Sequence, residues 1–92
     1  GNGQSAYPVT LRIITESGIT GLLSKMTKVF ADLNVNIDIA RSAERPDARA
    51  ESIFTFHTSN VDQVNQLTRR LENLKGVFSV DRVRAADGEP PV

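Results

Sequence analysis

The sequence contains no cysteine and no tryptophan, and it carries no excess of charge of either sign. Without cysteine there is no disulfide, no thiolate nucleophile and no cysteine-ligated metal site. The 11 basic and 11 acidic residues cancel, so the chain lacks the electrostatic footprint of a general nucleic-acid binder. No apolar run approaches the roughly 20 residues that cross a bilayer, and no signal-peptide pattern is present. These absences predict a protein with no membrane contact.

What the chain does contain is typical of one small folded domain. Its apolar fraction is 39% and it has only four prolines, which favours a globule with a single core. The first residue is glycine, so the chain is interpreted as part of a longer protein. Residues 1–6 are interpreted as a linker or a remnant of cloning, and residues 85–92 as a disordered tail. The domain itself is expected to occupy residues 7–84.

An extended apolar run changes into a helix in the first third of the chain. Residues 9–15 are predicted to form a strand, and apolar residues recur at helical spacing over residues 21–33. At the junction, Gly18 and Gly21 allow a sharp turn, and Thr20 is the predicted N-cap. The free backbone N–H groups at such a helix start can bind a carboxylate or a phosphate. The alternative is that the glycines serve only the strand-to-helix geometry.

A hairpin is predicted to follow the first helix. Residues 36–42 read as a strand with Ile37 and Ile39 on its inner side, and residues 43–49 as a charged turn. Residues 50–58 are rich in β-branched and aromatic side chains and form the third predicted strand. Because the connection between these strands is short and polar, we expect them to pair antiparallel.

The last part of the chain predicts a second helix and a fourth strand. Asn60 is the candidate N-cap of a helix over residues 61–74, and its apolar residues form a clean helical stripe. Residues 77–84 form the final predicted strand. Two alternations remain open for this strand, with an inner face of either Phe78 and Val80 or Val77 and Val83.

The predicted order is therefore β-α-β-β-α-β. The economical arrangement is an α+β, ferredoxin-like fold, in which a four-stranded antiparallel sheet carries both helices on one face. The other face of the sheet would then be open, and its half-apolar character predicts a partner. Its expected residues are Arg12, Ile14, Asp38, Ala40, Ile53, Thr55 and His57.

Few residues are candidates for catalysis or for binding a metal or nucleic acid. His57 is the single histidine and has no cysteine or second histidine near it in the sequence, so it is interpreted as a sheet-face residue. The same element order also builds RNA-recognition modules, which stack bases on exposed sheet aromatics. Here Phe54 and Phe56 are expected in the core, which disfavours that function. No catalytic residues, metal site or cofactor are predicted.

Three segments resemble the ACT domain family: Gly21-Leu22-Leu23 at a helix start, residues 30–37 with Asn36-Ile37 at a strand start, and residues 71–83 around Gly76-Val77. The resemblance spans roughly residues 9–84. Within that family the chain is most similar to the C-terminal ACT domain of Rel/Spo proteins, which make and hydrolyse (p)ppGpp. The resemblance implies a non-catalytic, cytoplasmic regulatory module that dimerises through ACT–ACT pairing and relays amino-acid or ribosome status to catalytic domains elsewhere in the parent chain.

The resemblance also implies an effector site. Amino-acid-binding members use the backbone of the Gly-Leu-Leu turn and the Asn before the strand, and many carry Asp or Asn where this chain has Gly18. Glu16 or Asn34 could replace that acceptor for the ligand's ammonium group. The candidate site comprises Gly18, Ile19, Thr20, Gly21, Leu22, Leu23, Asn34, Val35, Asn36 and Ile37.

Two alternatives to a (p)ppGpp synthetase/hydrolase stay open. One is an amino-acid sensor attached to a biosynthetic enzyme, and the other is an RNA-contacting or purely dimerising module.

Overall fold

A computed structural model describes residues 5–84, so the predictions for residues 1–4 and for the tail at 85–92 lie outside the described residues. Four strands and two helices alternate in the predicted order: β1 (Tyr7–Glu16), α1 (Leu22–Asp32), β2 (Ile37–Glu44), β3 (Arg49–Thr58), α2 (Val61–Glu72) and β4 (Val77–Val83).

The strands form one antiparallel sheet in the order β2-β3-β1-β4. The two central strands pair without a break, from Tyr7 opposite Thr58 to Glu16 opposite Arg49. Both helices pack on one face, which confirms the predicted α+β ferredoxin-like arrangement. No helix in residues 5–84 is long and apolar enough to cross a membrane.

The core lies between the helices and the inner face of the sheet. Phe30 of α1 is fully buried and packs on Phe54 and Phe56 of β3, with ring centroids 4.9 and 5.5 Å away. Burying one such ring contributes about 1.5–3 kcal/mol. Since Phe54 and Phe56 are both in the core, the sheet cannot offer them as a stacking platform for bases.

The end of α1 and the start of α2 follow their sequence signals. Asn34 adopts φ 60°, as expected of a left-handed residue after a helix. Its N–H donates to the carbonyl of Ala31 at 3.0 Å, and the N–H of Val35 donates to that of Phe30 at 2.9 Å. These two bonds complete a Schellman motif. At the other helix, Asn60 caps α2 as predicted, because its side chain accepts the N–H of Asp62 at 2.8 Å.

Because β2 contains an irregularity, the prediction of which of its side chains face the helices is partly wrong. The register with β3 shifts between Ile37 and Ile39, so Ile39 lies opposite Thr55 on the open face. Ala40 lies opposite the buried Phe54, on the helix-facing side. A β-bulge inserts one residue into a strand and reverses the alternation beyond it. Ile39 is consequently 53% exposed rather than buried.

A second irregularity determines which side chains of β4 face the helices, a question that the sequence left open. The pairing with β1 shifts near Thr15, which places Val77 opposite the buried Thr15 and Val80 opposite Ile13. Phe78 is left on the open face, 53% exposed, with the guanidinium of Arg49 4.4 Å from its ring centroid. Neither simple alternation was correct, because the bulge changes the phase within the strand.

The edge strand β2 is poorly covered. Every residue from Asp38 to Glu44 is exposed, although neighbouring β3 has a buried residue at every second position from Ser52 to Thr58. The strands of the hairpin also run further than predicted, to Glu44 and from Arg49, which shortens the charged turn to residues 45–48. This long exposed edge stands beside the predicted effector turn.

Candidate functional site

The turn between β1 and α1 depends on two glycines in left-handed backbone conformations. Gly18 and Gly21 both have φ 80°, which L-residues rarely adopt. Gly21 is the N-cap of α1, and no side chain caps this helix, so the prediction of Thr20 as the N-cap is wrong. The first intrahelical bond instead runs from the N–H of Lys25 to the carbonyl of Gly21, at 3.0 Å.

The start of α1 therefore presents polar backbone groups. The N–H of Leu22 reaches the carbonyl of Ile19 only at 3.4 Å. Within residues 5–84, the N–H groups of Leu23 and Ser24 donate no hydrogen bond. No acidic residue occupies the first turn, so nothing there offsets the positive end of the helix dipole.

Neighbouring loops hold the turn in place. The N–H of Glu16 donates to the carbonyl of Gly76 at 2.8 Å, and the N–H of Ser17 donates to that of Ala48 at 3.1 Å. The hydroxyl of Ser17 also donates to Oε1 of Glu44 at 2.6 Å. The turn is thus bonded to the loop between α2 and β4 on one side and to the β2–β3 hairpin on the other.

A small cleft opens between the turn, the first half of α1 and the inner side of the hairpin. We call it the turn cleft; its volume is about 120 Å³. Apolar side chains, three hydroxyls and two carboxylates line it, and none of its lining residues is basic. The lining residues are Thr15, Glu16, Gly18, Ile19, Leu22, Leu23, Met26, Ser42, Glu44, Ala50 and Ser52.

The structure does not bring the two halves of the predicted site together within one chain. Asn36 directly precedes the start of β2, where Ile37 pairs with Phe56, and Phe56 pairs with Val9 near the start of β1. The turn follows the other end of β1. A strand rises about 3.3 Å per residue, so Val9, beside the start of β2, and Glu16, before the turn, are roughly 23 Å apart.

The second half of the site has a mixed environment. Asn34 and Asn36 are exposed, Val35 is buried in the core, and Ile37 is partly buried against the edge of the core. These residues line no part of the turn cleft. Of the candidate residues around the turn, Gly18, Ile19, Leu22 and Leu23 line the cleft, whereas Thr20 and Gly21 do not.

Sequence reasoning missed six residues of the cleft: Thr15, Met26, Ser42, Glu44, Ala50 and Ser52. Ser42 and Glu44 both lie on the helix-facing side of β2. Ser42 faces the cleft because the β2 bulge reverses the alternation of the strand, and Glu44 reaches it because the strand continues beyond its predicted end. The period-two spacing of Ser42 and Glu44 was the signal that could have found them, but the charged residues around them favoured a turn.

Other candidate chemistry lies outside the cleft. Nδ1 of His57 is 2.6 Å from Oδ2 of Asp38 at the β2 bulge, on the exposed face. Across residues 5–84 no three potential metal-binding side chains come together. A wider depression of about 450 Å³ lies along the hairpin, but only exposed or half-buried strand residues form it: Arg41, Ser42, Ala43, Glu51 and Ile53.

The order of elements, the sheet and the glycine turn before α1 define the class of this protein. The family model described as the ACT domain matches residues 3–82, and the chain belongs to that family.

Individual proteins with similar sequences give a more specific comparison than the family match. The chain is 38% identical over 81 residues to a GTP pyrophosphokinase of Myxococcus xanthus, and the match covers 88% of this chain and 11% of that protein. It is 37% identical over 65 residues to the bifunctional (p)ppGpp synthase/hydrolase RelA of Mycobacterium tuberculosis, covering 71% of this chain and 9% of that protein. The chain thus spans about a tenth of the length of these relatives.

Solved structures share the fold. The ACT domain from the GTP pyrophosphokinase of Chlorobium tepidum has a TM-score of 0.74 at 23% identity, over 86% of this chain and 100% of that one. A homoserine dehydrogenase from Thiobacillus denitrificans has a TM-score of 0.70 at 23% identity, over 88% of this chain and 18% of that one. At these identities the likeness describes the fold alone.

Proposed function

We propose that this chain is the non-catalytic regulatory ACT domain of a (p)ppGpp synthetase/hydrolase. In this role it relays amino-acid or ribosome status to catalytic domains elsewhere in the parent protein. The observation that carries the proposal is the 38% identity to a GTP pyrophosphokinase over 88% of the chain, combined with an accessible cleft at the ACT turn. A second relative, at 37% identity, is named as a (p)ppGpp synthase/hydrolase.

The proposed unit is a homodimer that pairs two β2 edges antiparallel. An edge strand with unpaired backbone groups is a template for strand addition, and β2 is exposed from Asp38 to Glu44. Antiparallel pairing about a twofold axis sets the start of β2 in one copy beside the end of β2 in the other. It thereby brings the Asn34–Ile37 segment of one copy toward the turn cleft of its partner. This geometry accounts for the separation of the two halves within a single chain.

Matched variants at the two edges of the sheet test the dimer. Ile39 near one edge and Phe78 near the other are both on the open face and both 53% exposed. Ile39→Glu is expected to weaken self-association strongly, because the new charges of two copies would lie near each other across the twofold axis. Phe78→Glu serves as the control and should leave it unchanged. Sedimentation velocity over a concentration series measures both, and equal behaviour of the two variants would contradict pairing through β2.

The regulatory role is tested in the full-length parent protein. Deleting residues 7–84 is expected to abolish the response of (p)ppGpp synthesis to amino acids or ribosomes while leaving basal turnover by the catalytic domains. Synthesis and hydrolysis are both measured, with and without each candidate signal. A deletion variant that responds as the intact protein does would exclude a regulatory role for this domain.

The alternatives have less support. A sensor of a biosynthetic enzyme rests on the fold likeness to homoserine dehydrogenase, at an identity that carries no functional argument. RNA binding through the sheet lacks its usual platform, because Phe54 and Phe56 face the core. Contact of the assembled parent protein with ribosomal RNA through another surface remains compatible with the proposed role.

A further inference from the structure

The open face of the sheet has no role in the proposed regulatory function. Within residues 5–84 both helices lie on the other face, so neither of them covers this one. It is nevertheless partly apolar. Ile14 at its centre is 9% exposed, and Ile39 near its β2 edge is 53% exposed. A face of this kind is a candidate surface for a partner.

The strand registers align the side chains of the open face in rows that run across the sheet. In the strand order β2, β3, β1, β4, the first row is Ile39, Thr55, Thr10 and Val83, the second is Arg41, Ile53, Arg12 and Asp81, and the third is Ala43, Glu51, Ile14 and Ser79. A hydrogen bond of 3.0 Å between the hydroxyls of Thr10 and Thr55 joins the middle of the first row.

The middle row carries opposite charges at its two ends. Arg41 on β2 and Asp81 on β4 are both exposed, and neither forms an ion pair with a described residue. Between them, Nε of Arg12 lies 3.9 Å from Oε2 of Glu51, which is a loose ion pair. The face therefore has an unpaired positive charge on its β2 side and an unpaired negative charge on its β4 side.

These charges decide how two copies of the face can stack. Aligned sheets keep their strands within about 30° of each other, so a twofold axis between them runs either nearly along the strands or nearly across them. An axis across the strands would place Arg41 on Arg41 of the second copy, and Asp81 on Asp81. An axis along the strands reverses the strand order, so Arg41 of each copy faces Asp81 of the other. Only the second orientation pairs opposite charges.

The other rows agree with the axis along the strands. In this orientation β2 lies over β4 of the second copy, and β3 lies over β1. Ile39 then faces Val83, and Glu51 lies between Arg12 of its own chain and Arg12 of the second copy. Stacked sheets are about 10 Å apart, a gap that an arginine and an aspartate side chain can span together.

We propose that the open face binds a second copy of this chain, sheet against sheet, about a twofold axis along the strands, with Arg41 of each copy paired with Asp81 of the other. This contact goes beyond the proposed function. It uses side chains of the open face, whereas the β2–β2 contact uses backbone groups of an edge, so one chain can make both. Since the two twofold axes do not meet, the contacts together join edge dimers into larger assemblies.

The area of the face indicates that this contact is weak by itself. Four strands about 4.8 Å apart and three rows about 6.6 Å apart cover roughly 400 Å² per copy. Standard stable interfaces bury about 800 Å² per partner. We therefore expect a Kd of roughly 0.1–1 mM for the isolated domain. An assembly that holds two copies close together would strengthen the pairing through effective concentration.

Two charge reversals test the pairing. Arg41→Glu and Asp81→Arg each bring like charges together, so we expect the Kd for stacking of either variant on itself to rise about tenfold or more. A mixture of the two variants should bind tightly again, because the new acid of one faces the new base of the other. For the same reason, the chain that carries both changes should pair with itself about as tightly as the unmodified chain.

Backbone amide shifts measure these affinities at millimolar concentrations. Unlabelled Asp81→Arg is titrated into isotope-labelled Arg41→Glu, and the shifts at Thr10, Ile53 and Ser79 report contact with the open face. The matched controls are Lys25→Glu and Glu72→Arg, which make the same changes in net charge at exposed helix positions. These two control variants should not bind each other more tightly than each binds itself. Added salt should weaken the pairing of the unmodified chain.

Two results would overturn the proposal. One is a mixture of Arg41→Glu and Asp81→Arg that binds no more tightly than either variant alone. The other is a double variant that fails to pair with itself while the unmodified chain pairs, since an axis across the strands would give that result. Amide spectra that match the unmodified chain outside the open face establish that each variant is folded.

The β2–β2 dimer of the proposed function is judged separately. Asp81 lies on β4, at the edge of the sheet opposite to β2. Asp81→Arg should therefore still form the edge dimer in sedimentation velocity, even though it no longer stacks through its open face. Loss of both contacts in this variant would contradict the assignment of Asp81 to the face contact alone.

Discussion

The molecule makes the same transition twice, from a strand into a helix, and the two junctions are built in opposite ways. At the start of α2, Asn60 caps the helix with its side chain, and Asp62 places an acid in the first turn. At the start of α1, Gly21 supplies only its backbone, with no side-chain cap and no acid in the first turn.

The surroundings of the two junctions differ as well. Before α2, the side chain of Thr58 bonds to that of Gln63 at 2.6 Å, and Gln63 bonds to the carbonyl of Leu33 at 3.0 Å. That junction satisfies its own polar groups. The α1 junction depends on the distant loops that carry Ala48 and Gly76, and it borders a cleft. The comparison teaches that a side-chain cap completes one junction, whereas the other depends on backbone contacts with distant loops and has no cap of its own.

The largest effect is expected at the tertiary support of the α1 junction. Gly76 has φ 96°, and a Cβ placed there would clash with Cδ1 of Ile19 in the turn. Gly76→Ala should lower the free energy of unfolding by about 2 kcal/mol through backbone strain and overpacking. In an Ile19→Ala background the added cost of Gly76→Ala should be smaller, because the space is then free. Urea unfolding of the four chains measures the coupling, and strictly additive losses would contradict a clash between the added Cβ and Ile19.

A smaller loss is expected within the α1 turn itself. Gly21 has φ 80°, and a Cβ added there would meet no atom within 4 Å, so the cost of substitution is conformational. Gly21→Ala should destabilise the domain by about 1–2 kcal/mol, and Gly21→Asn by less, because asparagine tolerates the left-handed region. If alanine and asparagine proved equally harmless in thermal unfolding, the left-handed cap would not be a requirement of the junction.

The direct test of the comparison is one substitution at each junction. Asn60→Ala removes a side-chain cap and should cost about 1 kcal/mol of unfolding free energy. Thr20→Ala removes no cap and should change stability by less than about 0.5 kcal/mol. Chemical unfolding of both variants under identical conditions gives the values. Equal losses would mean that Thr20 contributes a cap after all.

The smallest effect is expected where the two helices are joined by charge. Hydrogen bonds from Lys28 and, secondly, from Arg70 hold the pKa of Asp32 below its ordinary value of 3.8. The resulting stabilisation is present above pH 3.8 and is lost as the pH falls through the lowered pKa of the folded state. Asp32→Asn should therefore be slightly less stable than the unmodified chain at pH 7 and equal to it in strong acid.

Urea midpoints between pH 7 and pH 2 measure this convergence, and added salt should also reduce the difference at neutral pH. A difference that persisted in acid would indicate packing rather than charge as its origin.

Predictions from neighbouring residues were correct where the conformation of a helix depends on its own sequence. The helical spacing correctly predicted Val64, Leu67 and Leu71 on the buried face of α2, whereas Val61, predicted on the same stripe, is 54% exposed. Asn34 and Asn60 correctly marked a helix end and a helix start. Prediction failed for Thr20 because a glycine in the left-handed conformation ended the turn one residue later than a side-chain cap would.

The candidate site was only partly predictable for a related reason. Gly18, Ile19, Leu22 and Leu23 belong to one short segment, and the structure places all four on the cleft. Glu44 comes to the same cleft from a strand end far along the chain, through the bond from Ser17. Asn36 was expected to join them, but it precedes the start of β2, which lies at the opposite end of β1 from the turn.

The sequence by itself determined the order of the elements, the inner faces of the helices and the resemblance to the ACT family. These depend on periodicity and on short motifs that act within a few residues. Only the tertiary structure decided which side chains of β2 and β4 face outward, because the bulges arise from pairing with a neighbouring strand. It also decided the composition of the turn cleft, since two segments distant in sequence, residues 15–26 and the hairpin at 42–52, form its walls.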